Sequence, residues 1–233
     1  MDQGLRSTGS IGPSLAGLLA QLAVIDKPGN SAAGKPSFVD GMGQWLGWAD
    51  AIALSAALHA PLDKLPTEQE AGAGVRPRRS NSSATTVRRE FERVRAELVR
   101  AIEDTPTDAD FAPHRRRYRA LQQSMEAAIG PLRARLREAL ARQSPAMGRL
   151  AALDAVMDEA LREREQSVLS AMPSLLQKHF ERLQAGQPAP APGPWLDEFR
   201  RDMQRMLVAE LDLRLQPALG LLEALHSAIT RVS

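Results

Sequence analysis

The amino-acid sequence predicts an all-α protein built from long amphipathic helices. Apolar residues recur at steps of three and four along most of the chain, which is the period of one side of an α-helix. No segment shows the alternation of apolar and polar residues that is typical of a β-strand. Only 4% of the residues are aromatic, so aliphatic side chains must fill the core. We expect antiparallel helical hairpins or an elongated bundle, with two linkers rich in Pro and Gly.

Residues 1–59 are predicted to form a pair of helices. In residues 11–25 the apolar side chains that fall on one side are Ile11, Leu15, Leu18, Leu19, Leu22 and Ile25. A second helix is expected over residues 37–58, because Pro61 closes the apolar pattern that follows Ser37. Residues 60–84 have no apolar period and are rich in Pro, Gly, Ser and charge, which indicates a flexible linker.

Residues 85–233 are expected to form the main bundle. Its first helix is predicted over residues 85–104, and its second over residues 113–142. The apolar stripe of the second helix keeps its phase across Pro131, which favours a kinked helix over a turn. Tyr118 lies on the same stripe, so we expect its ring to be buried.

A third helix is predicted to begin at Ser144. Serine is a preferred N-cap residue, and Pro145 suits the first helical position because its missing N–H would have no partner there. The apolar pattern runs toward Leu183, with Pro173 as a kink or a break.

The C-terminal part begins with a proline-rich spacer over residues 184–194. A last amphipathic helix is expected over residues 195–229, bent near Pro217. Its stripe contains Trp195, Phe199, Met203, Met206, Leu207, Leu211 and Leu215.

Basic residues are concentrated in the middle of the chain. Residues 76–142 carry 16 arginines against 9 acidic residues, although the net charge of the whole chain is only +2. Arginines in such a segment could bind an anionic partner, and Tyr118 could stack on a base. Acidic residues interleave with the arginines, however, and Tyr118 lies on the core stripe, so nucleic acid is disfavoured. Three alternatives remain open for these arginines: they contact an acidic protein, they contact membrane headgroups, or they face solvent. The candidate residues are Arg88, Arg89, Arg115, Arg116 and Arg117.

Two of the three tryptophans stand close together near the end of the N-terminal pair. Trp45 and Trp48 are three residues apart and therefore share one side of a helix, which Ile52 continues. The pattern has two interpretations, an anchor that packs the N-terminal helices together or a docking surface for a partner protein.

The stretch GNSAAGKPS, from Gly29 to Ser37, differs at one position from the phosphate-binding loop G-x-x-x-x-G-K-S/T. The residue after the lysine is Pro36, which has neither the hydroxyl that binds magnesium nor an N–H. The apolar residues before the loop belong to a helical period and not to a strand. We therefore expect a connection between helices and no nucleotide site.

The sequence offers no set of metal ligands. Its four histidines lie far apart, and His179 falls on an apolar stripe, which predicts a hydrogen-bonded histidine at the edge of the core. Asp154, Asp158 and Glu159 form a carboxylate cluster, but arginines follow within a turn or two. This pattern favours a solvated helix face laced with salt bridges. We expect no bound metal and no cofactor.

The sequence also lacks the patterns of an enzyme. There is no cysteine, which excludes a thiolate nucleophile and suits a reducing compartment such as the cytoplasm. There is no G-x-S-x-G nucleophile turn, and no apolar run reaches the length of a membrane-spanning helix. We therefore expect neither catalytic residues nor a membrane span.

Several stretches together resemble an uncharacterised proteobacterial family, a domain of unknown function of about this length. They are QWLGWADAIALSAAL, RRRYRALQQSMEAAIGPLRARLREAL, AALDAVMDEAL, LLQKHFERL and PWLDEFRRDMQRMLVAELDLRLQPALGLLEAL. The resemblance covers most of the chain outside the linkers and carries over no catalytic residues. Members of the family that it resembles are encoded near membrane proteins that resemble ion-driven channel subunits and near a peptidoglycan-binding partner. The resemblance therefore implies a cytoplasmic accessory subunit of an envelope complex.

Taken together, the sequence predicts a non-enzymatic helical interaction or scaffold protein with a protein partner. The alternative is a nucleic-acid-binding regulator that uses the arginines of residues 76–119. The pattern leaves the oligomeric state open.

Overall fold

The computed structural model describes residues 48–59, 76–186 and 193–230, and the regular structure of these residues is α-helical. The helices are α1 (Trp48–His59), α2 (Arg76–Glu103), α3 (Phe111–Ala141), α4 (Pro145–Ser170), α5 (Met172–Ala185) and α6 (Pro194–Thr230). The predicted all-α class is therefore confirmed.

The long helices α3 and α6 lie at the centre of the packing, since they contact each other and both contact α2, α4 and α5. Helices α2 and α3 form an antiparallel hairpin. Arg117 bonds to Ala101 at its closed end, and Arg135 pairs with Glu90 at its open end. Helix α1 packs against α4. This bundle-like arrangement agrees with the packing that the sequence predicts.

The core is built from the stripes that the sequence shows. Burial of each large aliphatic side chain stabilises the fold by about 1.5–3 kcal/mol, so the interlocked stripes hold the helices together. From α2 the buried side chains are Val87, Phe91, Val94, Leu98 and Ile102. From α3 they include Tyr118, Leu121, Met125, Ile129, Leu132, Leu136 and Leu140, and from α6 Phe199, Met203, Leu207, Leu211, Leu215 and Leu225.

The proline and cap signals of the sequence have clear structural counterparts. Ser144 is the N-cap of α4, and its hydroxyl accepts a hydrogen bond from the Met147 N–H at 3.2 Å. Pro131 lies inside one continuous helix, as the unbroken stripe predicts. At Pro173 the structure has the break, because Ala171 separates α4 from α5 and the proline occupies the first turn of α5.

The expected linker over residues 60–84 is wrong at its C-terminal end, since α2 begins at Arg76. Residues 76–84 are helical although they are polar and show no apolar stripe. Pro77 is compatible with this helix because it lies in the first turn, where a missing N–H costs no hydrogen bond.

The predicted spacer over residues 184–194 is also too long. Helix α5 continues to Ala185, and Pro194 is the first residue of α6. The expectations for residues 1–47, which include the apolar stripe of residues 11–25, lie outside the described residues, as do those for residues 60–75.

Candidate functional site

Helix α1 is apolar on all sides. Between Trp48 and His59 the sequence is mostly Ala, Leu and Ile, and Asp50 supplies the one acidic group. The apolar residues are spread around the helix and not gathered on one side. A helix of this kind is typically buried all round, so a side left open to solvent indicates a surface that another element covers.

One side of α1 is open in the described structure. The helix packs against α4, and Leu54 and Ala57 are half-buried. Ile52 lies on the opposite side from Leu54, because residues two positions apart are about 200° apart around a helix. Ile52 is 55% exposed and Leu58 is 56% exposed. Leu58 follows Leu54 by four positions, so it borders the packed side and lies about 120° around the helix from Ile52. We call the exposed surface of α1 that is centred on Ile52, with Leu58 at its edge, the outer face of α1.

Of the three predicted docking residues, the structure describes the side chain of Ile52. Trp45 lies outside the described residues, and only the helical backbone is described for Trp48, the first residue of α1. Ile52 follows Trp48 by four positions on the same helix, and its exposure shows that it is no anchor for packing among the described helices. The sequence therefore located the helix but not which of its sides is open.

The predicted anion-binding arginines differ in what they contact. Arg115 and Arg116 are exposed on the first turns of α3, and neither forms an ion pair within the described residues. Arg117 instead donates hydrogen bonds to the backbone carbonyls of Ala101 at 2.7 Å and Asp104 at 3.0 Å. Arg117 is therefore engaged in joining the ends of α2 and α3.

The two candidate arginines of α2 also differ from each other. Arg88 pairs with Glu92 one turn along the helix at 3.3 Å, and both side chains are exposed. Arg89 is exposed and has no ion pair among the residues that the structure describes. The sequence alone does not separate these cases, because arginine in every one of them lies outside the apolar stripe.

Tyr118 is fully buried, as its place on the stripe predicts, so it presents no ring to a nucleic-acid base. Its hydroxyl donates a hydrogen bond to Oε2 of Glu210 at 2.8 Å. Burial raises the pKa of Tyr118 well above its ordinary value, and the negative charge and hydrogen bond of Glu210 raise it further. The positive charge of Arg214 opposes these effects but does not outweigh them.

Glu210 is a buried charged residue that the sequence did not reveal. It is 0% exposed and accepts hydrogen bonds from Tyr118, from Gln122 at 3.1 Å and from Arg214 at 3.0 Å. Gln122 also donates to the backbone carbonyl of Leu169 at 2.9 Å. The network therefore joins α3, α4 and α6. The one signal in the sequence is Glu210 four residues before Arg214, a spacing that normally indicates an exposed pair.

A second polar network joins α3 to α4. Arg133 bonds to Asp154 at 2.6 Å and to Asp158 at 2.8 Å, and Arg137 bonds to each of the same carboxylates at 2.7 Å. Burial lowers the pKa of Arg137, but hydrogen bonds to Asp158 and Asp154 and their charges outweigh burial, so the pKa is raised. Two guanidinium groups and two carboxylates thus satisfy one another.

This network corrects the predicted solvated face at the carboxylate cluster. The Asp154 side chain is only 13% exposed, and its partners lie on α3, not on its own helix. The surface pairing holds for Glu159, which meets Arg162 at 3.2 Å, with both side chains exposed. Asp154 and Asp158 therefore join α4 to α3, whereas Glu159 forms a surface ion pair on α4.

Both buried histidines are hydrogen-bonded. His179 is buried, as predicted, and its Nε2 donates to the Asp202 carboxylate at 3.0 Å while its Nδ1 accepts from Arg182 at 2.9 Å. His114 is also buried, which the sequence did not predict, and its Nε2 donates to the Asp108 carbonyl at 2.9 Å.

An open groove of about 320 Å³ lies between the N-terminal half of α2 and the C-terminal end of α6. It is mainly apolar, and the cationic group at its rim, Arg88, pairs with Glu92.

Among residues 48–59, 76–186 and 193–230, no group of three or more His, Asp or Glu side chains could hold a metal ion. Within the same ranges, no helix combines the length and the hydropathy needed to cross a membrane.

These features define a helical bundle protein that carries an apolar helix on its side. In its described core, Glu210 and the network of two arginines and two aspartates join helices to one another. The chain belongs to a family described as "Protein of unknown function (DUF3348)", which matches residues 1–227. The membership confirms the resemblance to a domain of unknown function. No curated protein and no solved structure matches the chain.

Proposed function

We propose that this protein is a non-enzymatic helical interaction or scaffold protein whose partner docks on α1. The supporting observation is the outer face of α1, where an apolar helix leaves Ile52 and Leu58 in solvent. Apolar surface of this kind is what protein partners cover, because its removal from water stabilises the complex.

The frame beneath α1 is suited to holding a docking helix in place. Helix α4, on which α1 packs, is tied to α3 by the network of two arginines and two aspartates. Through the Glu210 network, α3 and α4 are also tied to α6. A partner docked on α1 would therefore be held against the whole bundle, because the helix beneath α1 is fixed to the other helices.

We further propose that the protein works in the cytoplasm as an accessory subunit of an envelope complex. This is what the family resemblance implies, and the absence of cysteine from the chain suits a reducing compartment. A second copy of the chain is a further candidate for the docked partner, and the experiment below separates it from other proteins.

The test is site-specific photo-crosslinking in the native host. A photo-crosslinking amino acid replaces Ile52 or Leu58 on the outer face, or Leu219 on α6 as the control, since Leu219 is also an exposed apolar residue at 42% exposure. We expect one distinct protein to be crosslinked from Ile52 and Leu58 and not from Leu219. Mass spectrometry of the crosslinked band distinguishes another protein from a second copy.

Equal crosslinking from all three positions, or none from the outer face, would show that docking on α1 is wrong.

The nucleic-acid alternative is favoured by one observation, the exposed Arg115 and Arg116 without ion pairs in the described residues. It would be supported by binding of duplex or single-stranded nucleic acid that weakens steeply with salt and is lost on Arg115→Glu/Arg116→Glu. Arg142→Glu, on an exposed arginine at the opposite end of α3, is the control.

A further inference from the structure

We propose that three exposed arginines near the start of α3 form a binding surface for an acidic segment of a protein partner. These residues are Arg115, Arg116 and Arg119, and we call them the arginine patch. The patch is a second interaction surface of the molecule, and its assignment does not depend on docking at α1.

The arginine patch is one continuous surface. Successive residues of a helix are about 100° apart, so Arg119 lies between Arg115 and Arg116, about 40° from the first and about 60° from the second. All three side chains leave the helix within about 6 Å along its axis. Ala112 and Ala120, which are exposed beside them, are too small to cover the guanidinium groups.

The chain itself supplies no partner for the arginine patch among the residues that the structure describes. Within these ranges, none of the three guanidinium groups donates a hydrogen bond or forms an ion pair. The neighbouring Arg117 differs, because it is bound to the end of α2. The first acidic residue of α3 is Glu126, two turns after Arg119, and it accepts a hydrogen bond from Gln166 at 3.4 Å. No carboxylate of α3 is therefore within reach of the patch.

The grouping of these arginines distinguishes them from other unpaired arginines. Arg89 and Arg100 also lack an ion pair within the described ranges, but they are about 16 Å apart along α2. In the patch, Arg119 follows Arg115 by one turn, and like charges at this spacing destabilise a helix. Such a repulsion does not serve the stability of α3, and it is relieved when a negatively charged partner binds.

Carboxylates of a protein segment fit the arginine patch better than a nucleic acid does. A guanidinium group binds a carboxylate through two parallel hydrogen bonds, and a short acidic segment can place its carboxylates on so small a surface. A nucleic-acid strand is charged along its whole length and would continue past the patch. It would then meet exposed carboxylates, Asp108 and Asp110 before the helix and Glu126 after the patch. The ring of Tyr118 is buried and cannot stack on a base.

A membrane surface also fits the arginine patch less well than an acidic segment. Helices that bind a membrane surface through basic residues also bury apolar side chains among the lipids. In the described part of the chain, the exposed large apolar side chains lie on α1, α4 and α6, and none lies on α3. The patch thus offers charge without the apolar contact that lipids require.

The test measures binding of the full-length protein to three anionic probes at the same ionic strength. The probes are a fluorescein-labelled oligoglutamate peptide, a single-stranded oligonucleotide of equal charge, and vesicles that contain an anionic phospholipid. The patch variant is Arg115→Gln/Arg116→Gln/Arg119→Gln. The matched control, Arg88→Gln/Arg93→Gln/Arg142→Gln, removes the same charge from exposed arginines that have ion pairs.

We expect the oligoglutamate peptide to bind the unsubstituted protein and the control variant with similar affinity. The patch variant should bind it at least about tenfold more weakly, because each lost hydrogen bond between charged groups is worth about that factor. Equal weakening in both variants would overturn the proposal, since only the total charge would then matter. It would also be overturned if the unsubstituted protein did not bind the peptide. Tighter, patch-dependent binding of the oligonucleotide or of the vesicles would overturn it in favour of nucleic acid or of a membrane.

Thermal unfolding followed by circular dichroism separates binding from a structural role. The patch variant should unfold at the same temperature as the unsubstituted protein or at a higher one, because the substitutions break no contact of the described fold and remove a repulsion. A marked decrease in this temperature would show that the arginines stabilise the bundle, and the assignment of a binding surface would be wrong.

Discussion

Tyr118 shows how a single residue on an apolar stripe carries polar chemistry into the core. Its ring fills the space between α3 and α6, and its hydroxyl finds Glu210 as an acceptor, so burial leaves no unsatisfied group. The neutral phenol is the form that suits both burial and the negative charge of Glu210, since a phenolate there would be desolvated and repelled.

A pH titration tests this directly, because Tyr118 is the single tyrosine of the chain. The folded-state pKa is raised above the unfolded value of about 10, so its contribution to stability is complete below about pH 10. It is lost as the pH rises from there toward the folded-state pKa. We expect tyrosinate absorbance to appear only together with the loss of helical circular dichroism.

Tyrosinate formation near pH 10 with unchanged helical circular dichroism would contradict the buried hydrogen bond. Tyr118→Phe is the matched variant. It should unfold with a weaker dependence on pH above about 10, because it has no phenol to ionise in the unfolded chain.

The sequence predicts the burial of Tyr118 but not the residue that receives its hydrogen bond. Periodicity assigns a side of a helix to each residue, and Tyr118 falls on the apolar side. Glu210 lies 92 positions after Tyr118 in the sequence and beside the apolar stripe of its own helix. From its position alone, a carboxylate there would be predicted to be exposed. The burial of His114 also depends on a partner that the local pattern does not show, since its ring bonds to the carbonyl of Asp108 in the loop before α3. Such partners depend on how the chain packs, which no local pattern states.

At the scale of elements, the interface between α3 and α4 depends on charge as well as on apolar contact. Arg133, Arg137, Asp154 and Asp158 form a set in which each group has two partners, and Asp158 also meets Arg162 at 3.8 Å. The removal of one member leaves a partly buried charge without its full complement of hydrogen bonds, and this costs more than the pair itself contributes.

Arg137→Ala is therefore expected to lower the free energy of unfolding by about 1–3 kcal/mol. Arg142→Ala, on the same helix end, removes an exposed pair with Glu138 and should cost less than about 0.5 kcal/mol. Urea denaturation followed by circular dichroism measures both. Equal losses for the two variants would show that the network is no stronger than a surface pair.

Helix boundaries were predicted best where a specific chemical signal exists. Ser144 has a side chain that caps a helix and a proline behind it, and α4 begins there. The start of α2 at Arg76 has no comparable signal, because its first residues are Arg, Pro, Ser and Asn without an apolar stripe. A polar first turn looks the same in a helix and in a linker until its continuation into the packed part of the helix is known.

At the scale of the whole molecule, Phe199 connects three helices through contacts with other aromatic rings. It is fully buried on α6, with its ring 5.0 Å from that of Phe180 on α5 and 5.2 Å from that of His114 on α3. Because α6 also contacts α2 and α4, loss of packing at this point weakens the bundle as one unit.

Phe199→Ala should lower the free energy of unfolding by about 3–5 kcal/mol, through lost apolar burial and the cavity left behind. Leu219→Ala, at an exposed position of the same helix, should change it by less than about 0.5 kcal/mol. Urea unfolding followed by circular dichroism and by tryptophan fluorescence measures both. Clearly separate transitions for the two signals in the unsubstituted protein would contradict a single cooperative bundle.

For the amphipathic helices the sequence shows which side points inward, but it does not show which helices meet. Nothing in Trp48–His59 states that it packs on α4, because a helix that is apolar on all sides offers no preferred side. For the same reason the sequence pointed to Ile52 as part of a docking surface without showing that α1 is open there. Pairing of helices follows from the shapes of complete surfaces, which emerge only in the folded chain.

The end of α2 has a consequence for the order in which the molecule is made. The last carbonyls of a helix lack partners within it. At the end of α2 the carbonyls of Ala101 and of Asp104, the residue just after the helix, accept hydrogen bonds from Arg117, and that of Glu103 accepts one from Gln204 at 3.1 Å. These donors lie on α3 and α6, which leave the ribosome later. Helix α2 is therefore synthesised before the groups that finish it, and its final turn becomes secure only when the last helix has been made.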